Sequence, residues 1–314
     1  MKSFSVLTSV LAAATYVSAH GHVHQITIAG KAYLGNVPQA SPTPSVIRQI
    51  STPNPIKGAR NVAINCGQDA VPAALVADAK PGDEITFDWT SGELTPWPHN
   101  IGPMLTYMAS CGNVACDKYD PKDADWFKID QVGRKPLNTN GDWVQKDLFG
   151  GGVANVTLPS NLAAGNYLIR HEIIALHIAQ NPGGAEFYAS CSQLRVGGNE
   201  TGVPRPEDLV KLPGAYNDND AGILVNVFNT VAPGVFPEYK FPGPAVAELV
   251  NGGVGAGSGN GTETDTPSNK TAPTDGDNTP YSGGCMTRRA AYEQQRPRVI
   301  SRVMRRASFA AARL

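Results

Sequence analysis

Long apolar runs are scarce in this chain, and charged residues make up only 17% of it. After the first 19 residues no stretch approaches the roughly 20 consecutive apolar residues that a membrane-spanning helix needs, so we expect no membrane span. No long helical period of apolar residues is present either. Glycine and proline are abundant instead, with 33 and 25 residues, which is above average usage. The composition therefore predicts many loops between short elements.

The N-terminal segment has the pattern of a secretory signal peptide. Lys2 precedes an apolar run over residues 6–17, and a small-residue site closes the segment at Ala19. The run is too short to cross a bilayer. We therefore assign residues 1–19 as a signal peptide and expect a secreted, extracellular protein whose mature chain begins at His20.

Residues 20–247 are predicted to form one domain. Short apolar segments recur there between clusters of Gly, Pro, Asn and Asp, which is typical of an all-β sandwich. Apolar and polar residues alternate at the clearest of these segments, so Ile85, Phe87 and Trp89 are expected on one face of a strand. The candidate strands are Val23–Ile28, Glu84–Trp89, Val153–Leu158, Tyr167–His177, Glu186–Cys191 and Leu224–Phe228.

The C-terminal part of the chain has a different composition. Residues 248–284 are rich in Gly, Ser, Thr and Asn, which we interpret as a disordered linker. Residues 285–314 contain eight arginines and one glutamate, which predicts a basic tail. That tail is an anionic-surface anchor, a pro-segment removed by processing, or a solvated segment without function. No nucleic-acid-binding module is recognised, so nucleic acid is not an expected partner.

Five cysteines in a chain expected to be exported favour disulfide formation. Four lie in the main domain and permit three pairings, whereas Cys285 lies alone in the basic tail, which excludes a module stapled by several disulfides there. The four are Cys66, Cys111, Cys116 and Cys191. Sequons that agree with a secretory route predict candidate glycosylation sites at Asn155, Asn199, Asn260 and Asn269.

All six histidines precede the predicted linker, and His20 becomes the first residue if cleavage follows Ala19. Copper(II) prefers nitrogen ligands in a tetragonal plane. A terminal histidine offers two such nitrogens, its ring Nδ1 and an α-amine whose pKa of about 7.7 to 8.0 lets copper displace the proton near neutral pH. One further imidazole would complete three nitrogens. Any chain that begins with histidine gains this chelate, so the signal is weak by itself.

Five ordered segments give a more specific signal. They are His20–Val23, Trp97–Tyr107, Trp126–Asp130, Arg170–His177 and Gly184–Tyr188. On these segments residues 20–247 resemble the fungal lytic polysaccharide monooxygenases of auxiliary activity family nine. The resemblance implies an immunoglobulin-like or fibronectin-III-like β-sandwich with long loops and a flat copper-bearing face. It also implies one copper per chain and oxidative cleavage of glycosidic bonds.

The resemblance implies a set of site residues as well. His20 and His99 would bind copper through nitrogen, with Tyr188 as the axial ligand. His177 would donate a hydrogen bond and a proton during the reaction. Glu186 departs from the family, whose members commonly have glutamine there, and its added negative charge bears on reactivity and pH dependence.

Strand periodicity relates several of these residues. Glu186 and Tyr188 are two residues apart and share a face, whereas Phe187 points the other way, into the core. If the strand continues to its predicted end, His171 and His177 also share one face. The histidines interpreted as structural are His22, His24 and His171.

Two further assignments rest on the resemblance alone. The family pairing joins Cys66 with Cys191 and Cys111 with Cys116. Tyr239 matches a late surface-tyrosine segment of the family, so it would stack on the substrate.

The function expected from the resemblance is cleavage of cellulose or a related β-1,4-glucan by a monomeric enzyme. The reaction would use O2 or H2O2 and an electron donor, either a small reductant or a secreted dehydrogenase. One alternative is a non-catalytic copper- or glycan-binding protein on the same sandwich, since fold does not imply function. The other is a glycoside hydrolase, which needs two carboxylates flanking the bond. No motif in the sequence offers such a pair.

Overall fold

The structure is a computed structural model that describes residues 20–136, 141–232 and 234–251. The predicted signal peptide, the basic tail and residues 252–284 of the predicted linker lie outside these ranges, as do Asn260 and Asn269. Within the described ranges, no helix is both long and apolar enough to span a membrane.

Strands make up nearly all of the regular structure in these ranges. In chain order they are β1 (Gly21–Ile28), β2 (Lys31–Leu34), β3 (Ala77–Ala79), β4 (Glu84–Ser91), β5 (Met104–Ser110), β6 (Trp126–Val132), β7 (Ala154–Thr157), β8 (Gly165–Ala175), β9 (Glu186–Val196), β10 (Gly202–Val203) and β11 (Val250–Asn251). One short α-helix, α1, covers Gln145–Phe149. Short 3-10 helices lie at Val62–Ile64, Cys116–Lys118, Pro121–Asp123 and Pro206–Asp208.

Two main sheets form a sandwich. The first has the order β2-β1-β4-β7 and the second the order β3-β9-β8-β5-β6. Neighbouring strands are antiparallel except β3 and β9, which are parallel. Ile26 and Phe87 from the first sheet and Ile169 and Ile173 from the second belong to one buried cluster, so the sheets pack face to face. The predicted all-β sandwich is confirmed.

The second sheet is buried on both faces. Its outer face packs Leu105, Leu168 and Phe187 into a second apolar cluster that loop residues such as Ile56 complete. Strands buried on both faces show no alternation of apolar and polar residues. This explains why the sequence pattern does not predict β5, which is buried over all but its last residue.

Where one face of a strand meets solvent, alternation predicts orientation correctly. Ile85, Phe87 and Trp89 are all buried on β4. On β7 the side chain of Asn155 is exposed, and Asn199 is exposed in the segment after β9. Both asparagines are accessible to a glycan, and their glycosylation stays a prediction.

The described residues form two disulfides, and both are the pairs that the resemblance implies. Cys66 is bonded to Cys191 on β9, across 125 residues of sequence. Cys111 is bonded to Cys116 across 5 residues. The longer link fastens the loop after β2 to the outer face of the second sheet.

The predicted strand Leu224–Phe228 is wrong. Its backbone forms turns, in which the amide of Leu224 donates to the carbonyl of Asp220 at 2.9 Å and the amide of Phe228 to the side chain of Asn226 at 3.1 Å. The amide of Val225 donates to the carbonyl of Ala179 at 2.9 Å, and the carbonyl of Val227 accepts from the guanidinium of Arg134, so the segment contacts its neighbours without joining a sheet. An apolar run alone therefore does not distinguish a strand from a buried turn.

Two predicted boundaries also differ from the structure. β8 ends at Ala175, because the amide of Leu176 turns away to the carbonyl of Ile101 at 3.0 Å. His177 therefore does not share a strand face with His171, as the longer strand had predicted. At the other end, β11 pairs with β10, so folded structure extends to residue 251 rather than ending at 247.

Candidate active site

The start of β1 lies against the end of β4. Gly21 pairs with Ser91, and the amide of Gly92 donates to the carbonyl of His20 at 2.9 Å. A Cβ atom on Gly21 would lie 2.0 Å from the carbonyl oxygen of Thr90 and 3.0 Å from the ring of Trp97. Glycine at position 21 therefore allows the start of β1 to pack closely against β4 and the Trp97 ring.

Trp97 anchors the loop that carries His99, between β4 and β5. Its ring is fully buried and its Nε1 donates to Oε1 of Gln145 at 3.3 Å. The ring centroid lies 5.4 Å from that of His99 and 4.8 Å from that of Tyr188, both edge-on. A buried indole thus holds the loop imidazole against β9.

Four side chains converge beside Trp97. Nε2 of His99 lies 3.2 Å from the hydroxyl of Tyr188, which donates to Oε2 of Glu186 at 3.0 Å. The same carboxylate oxygen lies 3.5 Å from Nε2 of His99 and 3.9 Å from Nε2 of His177. The two imidazoles stack at 4.6 Å with an interplanar angle of 14°. His99, His177 and Glu186 offer ligand atoms that all lie within 4.8 Å of one another, a group able to hold a metal ion.

Strand geometry explains part of this convergence. Glu186 and Tyr188 are alternate residues of β9 and so face the same side, as predicted, while Phe187 and Cys191 enter the outer cluster. His99 and His177 come from loops. Of the predicted copper ligands, the structure brings together His99 and Tyr188, whereas His20 is not part of the group within 4.8 Å.

Sequence reasoning missed Lys57. Its Nζ donates to Oε1 of Glu186 at 3.0 Å and to the carbonyl of Gly184 at 3.3 Å. Lys57 precedes Glu186 by 129 residues and belongs to no motif. No local signal in the sequence could have joined the two.

Charge and burial act in opposite directions on the acidic groups here. Burial raises the pKa of Glu186, but the hydrogen bond and charge of Lys57, with smaller contributions from Tyr188 and His177, bring it below its ordinary value. Burial, reinforced by the charge and hydrogen bond of Glu186, raises the pKa of Tyr188. Across the neutral range the site therefore holds a carboxylate and a protonated phenol.

The histidines interpreted as structural lie away from this cluster. His171 is buried, stacks on Phe87 at 4.3 Å and accepts a hydrogen bond from Nε1 of Trp89 at 3.0 Å. Burial and the charge of Arg170 lower its pKa to about 3. His22 is also buried, and its pKa is lowered to about 4 by burial and then by His24. Both rings are neutral near pH 7.

Tyr239 is half-buried. Its hydroxyl donates to the carbonyl of Gly222 at 2.6 Å, and its ring packs edge-on against Trp143 at 5.0 Å and Phe241 at 5.1 Å. These contacts give the residue a packing role, and its role in binding substrate stays a prediction.

Comparison with known proteins assigns the family. The model of Auxiliary Activity family 9 (formerly GH61) matches residues 20–237. The chain belongs to this family. It is 51% identical over 250 residues to AA9 family lytic polysaccharide monooxygenase D of Gloeophyllum trabeum, covering 79% of this chain and 70% of that protein. It is 40% identical over 254 residues to monooxygenase A of Geotrichum candidum, covering 78% of this chain and 82% of that protein.

Solved structures agree with the AA9 assignment. A crystal structure described as a cellulose-active polysaccharide monooxygenase from M. thermophila superimposes with a TM-score of 0.64 at 34% identity, covering 74% of this chain and 100% of that one. Another, described as HiLPMO9B, superimposes with a TM-score of 0.63 at 35% identity, covering 72% of this chain and 99% of that one. The AA9 chain is thus a lytic polysaccharide monooxygenase, an oxidoreductase, and its histidine and carboxylate cluster could hold a metal ion.

Proposed function

We propose that the protein is a secreted, copper-dependent monooxygenase that cleaves cellulose or a related β-1,4-glucan. His20, freed by removal of residues 1–19, would supply its α-amine and ring Nδ1. His99 would supply the third nitrogen and Tyr188 an oxygen. The observation that carries the proposal is the 3.2 Å approach of His99 Nε2 to the Tyr188 hydroxyl, at the end of the sandwich where His20 begins.

The residues fit copper by their donor chemistry. Copper(II) favours imidazole and amine nitrogen over carboxylate oxygen. Trp97 contacts both the segment that carries His20 and the ring of His99, so the two histidines belong to one side of the molecule. In the unprocessed chain the α-nitrogen of His20 is a peptide nitrogen, because Ala19 precedes it. Signal removal would therefore create a ligand that the precursor lacks.

Bound copper would supply the one-electron chemistry by which O2 or H2O2 attacks a carbon beside the glycosidic bond. Tyr188, whose hydroxyl proton points at Glu186, would present an oxygen lone pair toward His99. His177 would deliver a proton to the co-substrate. Glu186 would orient Tyr188 by accepting from its hydroxyl, and its negative charge would act on the nearby imidazole of His177.

The preference for cellulose is supported by the M. thermophila enzyme, described as cellulose-active, at 34% identity. Tyr239 would stack on the glucan. An electron donor, either a small reductant or a secreted dehydrogenase, would complete the reaction. We further propose that the enzyme works as a monomer, with 1–19 as signal peptide and a linker and basic tail after the folded domain.

The test uses secreted chain whose N-terminus is verified as His20 by mass spectrometry. Copper(II) titration should give one tight site per chain. With ascorbate, copper-loaded enzyme should release aldonic acids or oxidised non-reducing ends from cellulose. His99→Ala should lose both properties while keeping its thermal unfolding temperature, because the loop is anchored by Trp97 rather than His99. A matched control carries one extra alanine before His20, which blocks the amine without altering any side chain.

The outcomes separate the alternatives. Plain reducing sugars, formed without copper or reductant, would support a glycoside hydrolase. Tight copper binding without peroxide formation or glucan cleavage would support a non-catalytic binding protein. Absence of a tight copper site in the verified His20 chain would contradict the proposal altogether.

A further inference from the structure

We infer that Lys57 is a positioning residue for the metal site, holding Glu186 in the orientation that Tyr188 and the two imidazoles require. The inference rests on the proposed function, because it assigns Lys57 a role toward the copper ligands. It concerns a charge pair that a glutamine at position 186 would not form.

The two oxygens of the Glu186 carboxylate have separate partners. Oε1 accepts from Nζ of Lys57 at 3.0 Å. Oε2 accepts from the Tyr188 hydroxyl at 3.0 Å and faces Nε2 of His99 at 3.5 Å and of His177 at 3.9 Å. Lys57 therefore binds Oε1, and Oε2 remains the oxygen that faces Tyr188 and the two imidazoles.

Lys57 is itself held by fixed backbone. The residue before it, Ile56, exchanges two backbone hydrogen bonds with Phe187, the neighbour of Glu186, at 2.8 and 3.1 Å. Nζ of Lys57 also donates to the carbonyl of Gly184, which lies in a tight turn where a Cβ would meet the carbonyl of Ile178 at 1.9 Å. The ammonium group therefore reaches Glu186 from a loop tied to β9 on both sides of the carboxylate.

The chemistry of the side chains explains why such a partner is needed. An ionised carboxylate only accepts hydrogen bonds, whereas a glutamine amide offers both a donor and an acceptor. Glutamine could be oriented by nearby carbonyls, but a carboxylate needs a donor or a cation on its second oxygen. Lys57 supplies both a donor and the positive charge that offsets the negative charge beside the metal.

Glu186 in turn fixes the direction of the Tyr188 hydroxyl proton. With that proton on Oε2, the lone pairs of the phenol oxygen remain for the side of His99, 3.2 Å away. If Lys57 is removed, the Glu186 carboxylate is free to rotate. The Tyr188 hydroxyl then no longer has a fixed acceptor that sets the direction of its proton. The expected consequence is an altered metal environment with little change in folding, since the Lys57 side chain is 45% exposed and exposed pairs contribute little to stability.

The experiment uses copper-loaded, His20-initiated enzyme and a double-mutant cycle. The variants are Lys57→Met, Lys57→Gln, Lys57→Arg, Glu186→Gln and Lys57→Met combined with Glu186→Gln. The readouts are the electron paramagnetic resonance spectrum of copper(II), the dissociation constant of copper(II) and kcat on cellulose with ascorbate. Thermal unfolding of each variant verifies folding. If Lys57→Met does not fold, Lys57→Gln replaces it in every comparison.

We expect Lys57→Met to change the copper(II) spectrum and to lower kcat on the order of tenfold, as loss of a group that supports metal ligands commonly does. Lys57→Arg should restore both, because it retains the charge and the donors. In the Glu186→Gln background, Lys57→Met should cause no further change, because the carboxylate that it holds is gone.

Two results would overturn the inference: a wild-type spectrum and kcat in Lys57→Met, or an equal loss from Lys57→Met in both backgrounds. The second result would mean that Lys57 acts on substrate rather than on Glu186. Failure of the proposed function looks different, because the wild-type enzyme would then itself lack tight copper or oxidised products.

Discussion

Two ion pairs place a glutamate on adjacent strands of the second sheet, Glu172 on β8 and Glu186 on β9, and they differ in burial and in what they face. Arg170 and Glu172 on β8 are both 0% exposed, and NH2 of Arg170 donates to Oε1 of Glu172 at 2.6 Å. In the pair at the candidate site, Lys57 is 45% exposed and Glu186 10% exposed. The buried pair faces the outer apolar cluster, and the half-exposed pair faces Tyr188 and the two imidazoles of the candidate site.

The buried pair is saturated with partners. Nε of Arg170 donates to the carbonyls of Ile64 and Asn65 at 2.9 and 2.8 Å. Oε2 of Glu172 accepts from the hydroxyl of Tyr216 at 2.7 Å. Both carboxylate oxygens of Glu172 are hydrogen-bonded, and Arg170 links them to the loop after β2, so this pair fixes that loop to the sheet. The pair at the site instead places its second carboxylate oxygen against Tyr188, His99 and His177. What separates the two pairs is therefore burial and the groups that the carboxylate faces.

The largest expected effect comes from breaking the buried pair. Arg170→Met leaves the Glu172 carboxylate buried without its cation, which costs about 3–5 kcal/mol of the free energy of unfolding. Chemical denaturation of the folded domain measures this loss. The matched control is Arg195→Met, because the side chain of Arg195 is 65% exposed and its Nε donates to the exposed Asp78 at 2.7 Å. Equal losses in the two variants would refute the contrast.

A smaller effect should follow from removing one hydroxyl beside the buried carboxylate. Tyr216→Phe loses the hydrogen bond to Glu172 and a contact with the Tyr107 hydroxyl at 3.0 Å. Hydrogen bonds to charged groups contribute about 1.5–3 kcal/mol, and those between neutral groups about 0.5–1.5 kcal/mol. Tyr239→Phe is the control, since its hydroxyl donates to the neutral carbonyl of Gly222. A larger loss of unfolding free energy in Tyr239→Phe would reverse the expected order.

Acid should destabilise the domain through a third kind of buried group, one without a partner. Neither ring nitrogen of His22 has a hydrogen-bond partner within the described ranges. Its pKa is lowered to about 4 in the folded state, from about 6.5 when unfolded. Between those values only the unfolded chain takes up the proton, so stability is full above about pH 6.5 and falls as the pH drops toward about 4. His22→Leu should flatten the dependence of Tm on pH in this window, and an unchanged slope would contradict the assignment.

The smallest effect on folding is expected at the site itself. Lys57→Met breaks a pair whose cation is half-exposed, so the free energy of unfolding should change by less than about 1 kcal/mol. Thermal and chemical unfolding of the metal-free protein test this. A loss as large as that of Arg170→Met would mean that the Lys57–Glu186 pair is structural, and the proposed division between the two pairs would fail.

Much of this arrangement follows from local pattern. Alternation on Glu84–Trp89 correctly predicted its buried face, and the two-residue spacing of Glu186 and Tyr188 correctly predicted that they share a side. Alternation fails where both faces are buried, as on β5, and apolar content alone misled at residues 224–228. His177 was placed on a strand that ends two residues earlier, since nothing in the local pattern marks that end.

By itself the sequence determined the sandwich, the family and the residue types that the metal site needs. These depend on strand period, on motif residues and on the histidine that follows the predicted cleavage site, all of which are local. Tertiary structure alone decided that His177 stacks on His99 and that Lys57 pairs with Glu186 across 129 residues. Such contacts depend on how loops close over the finished sheets, and no short stretch of chain contains that information.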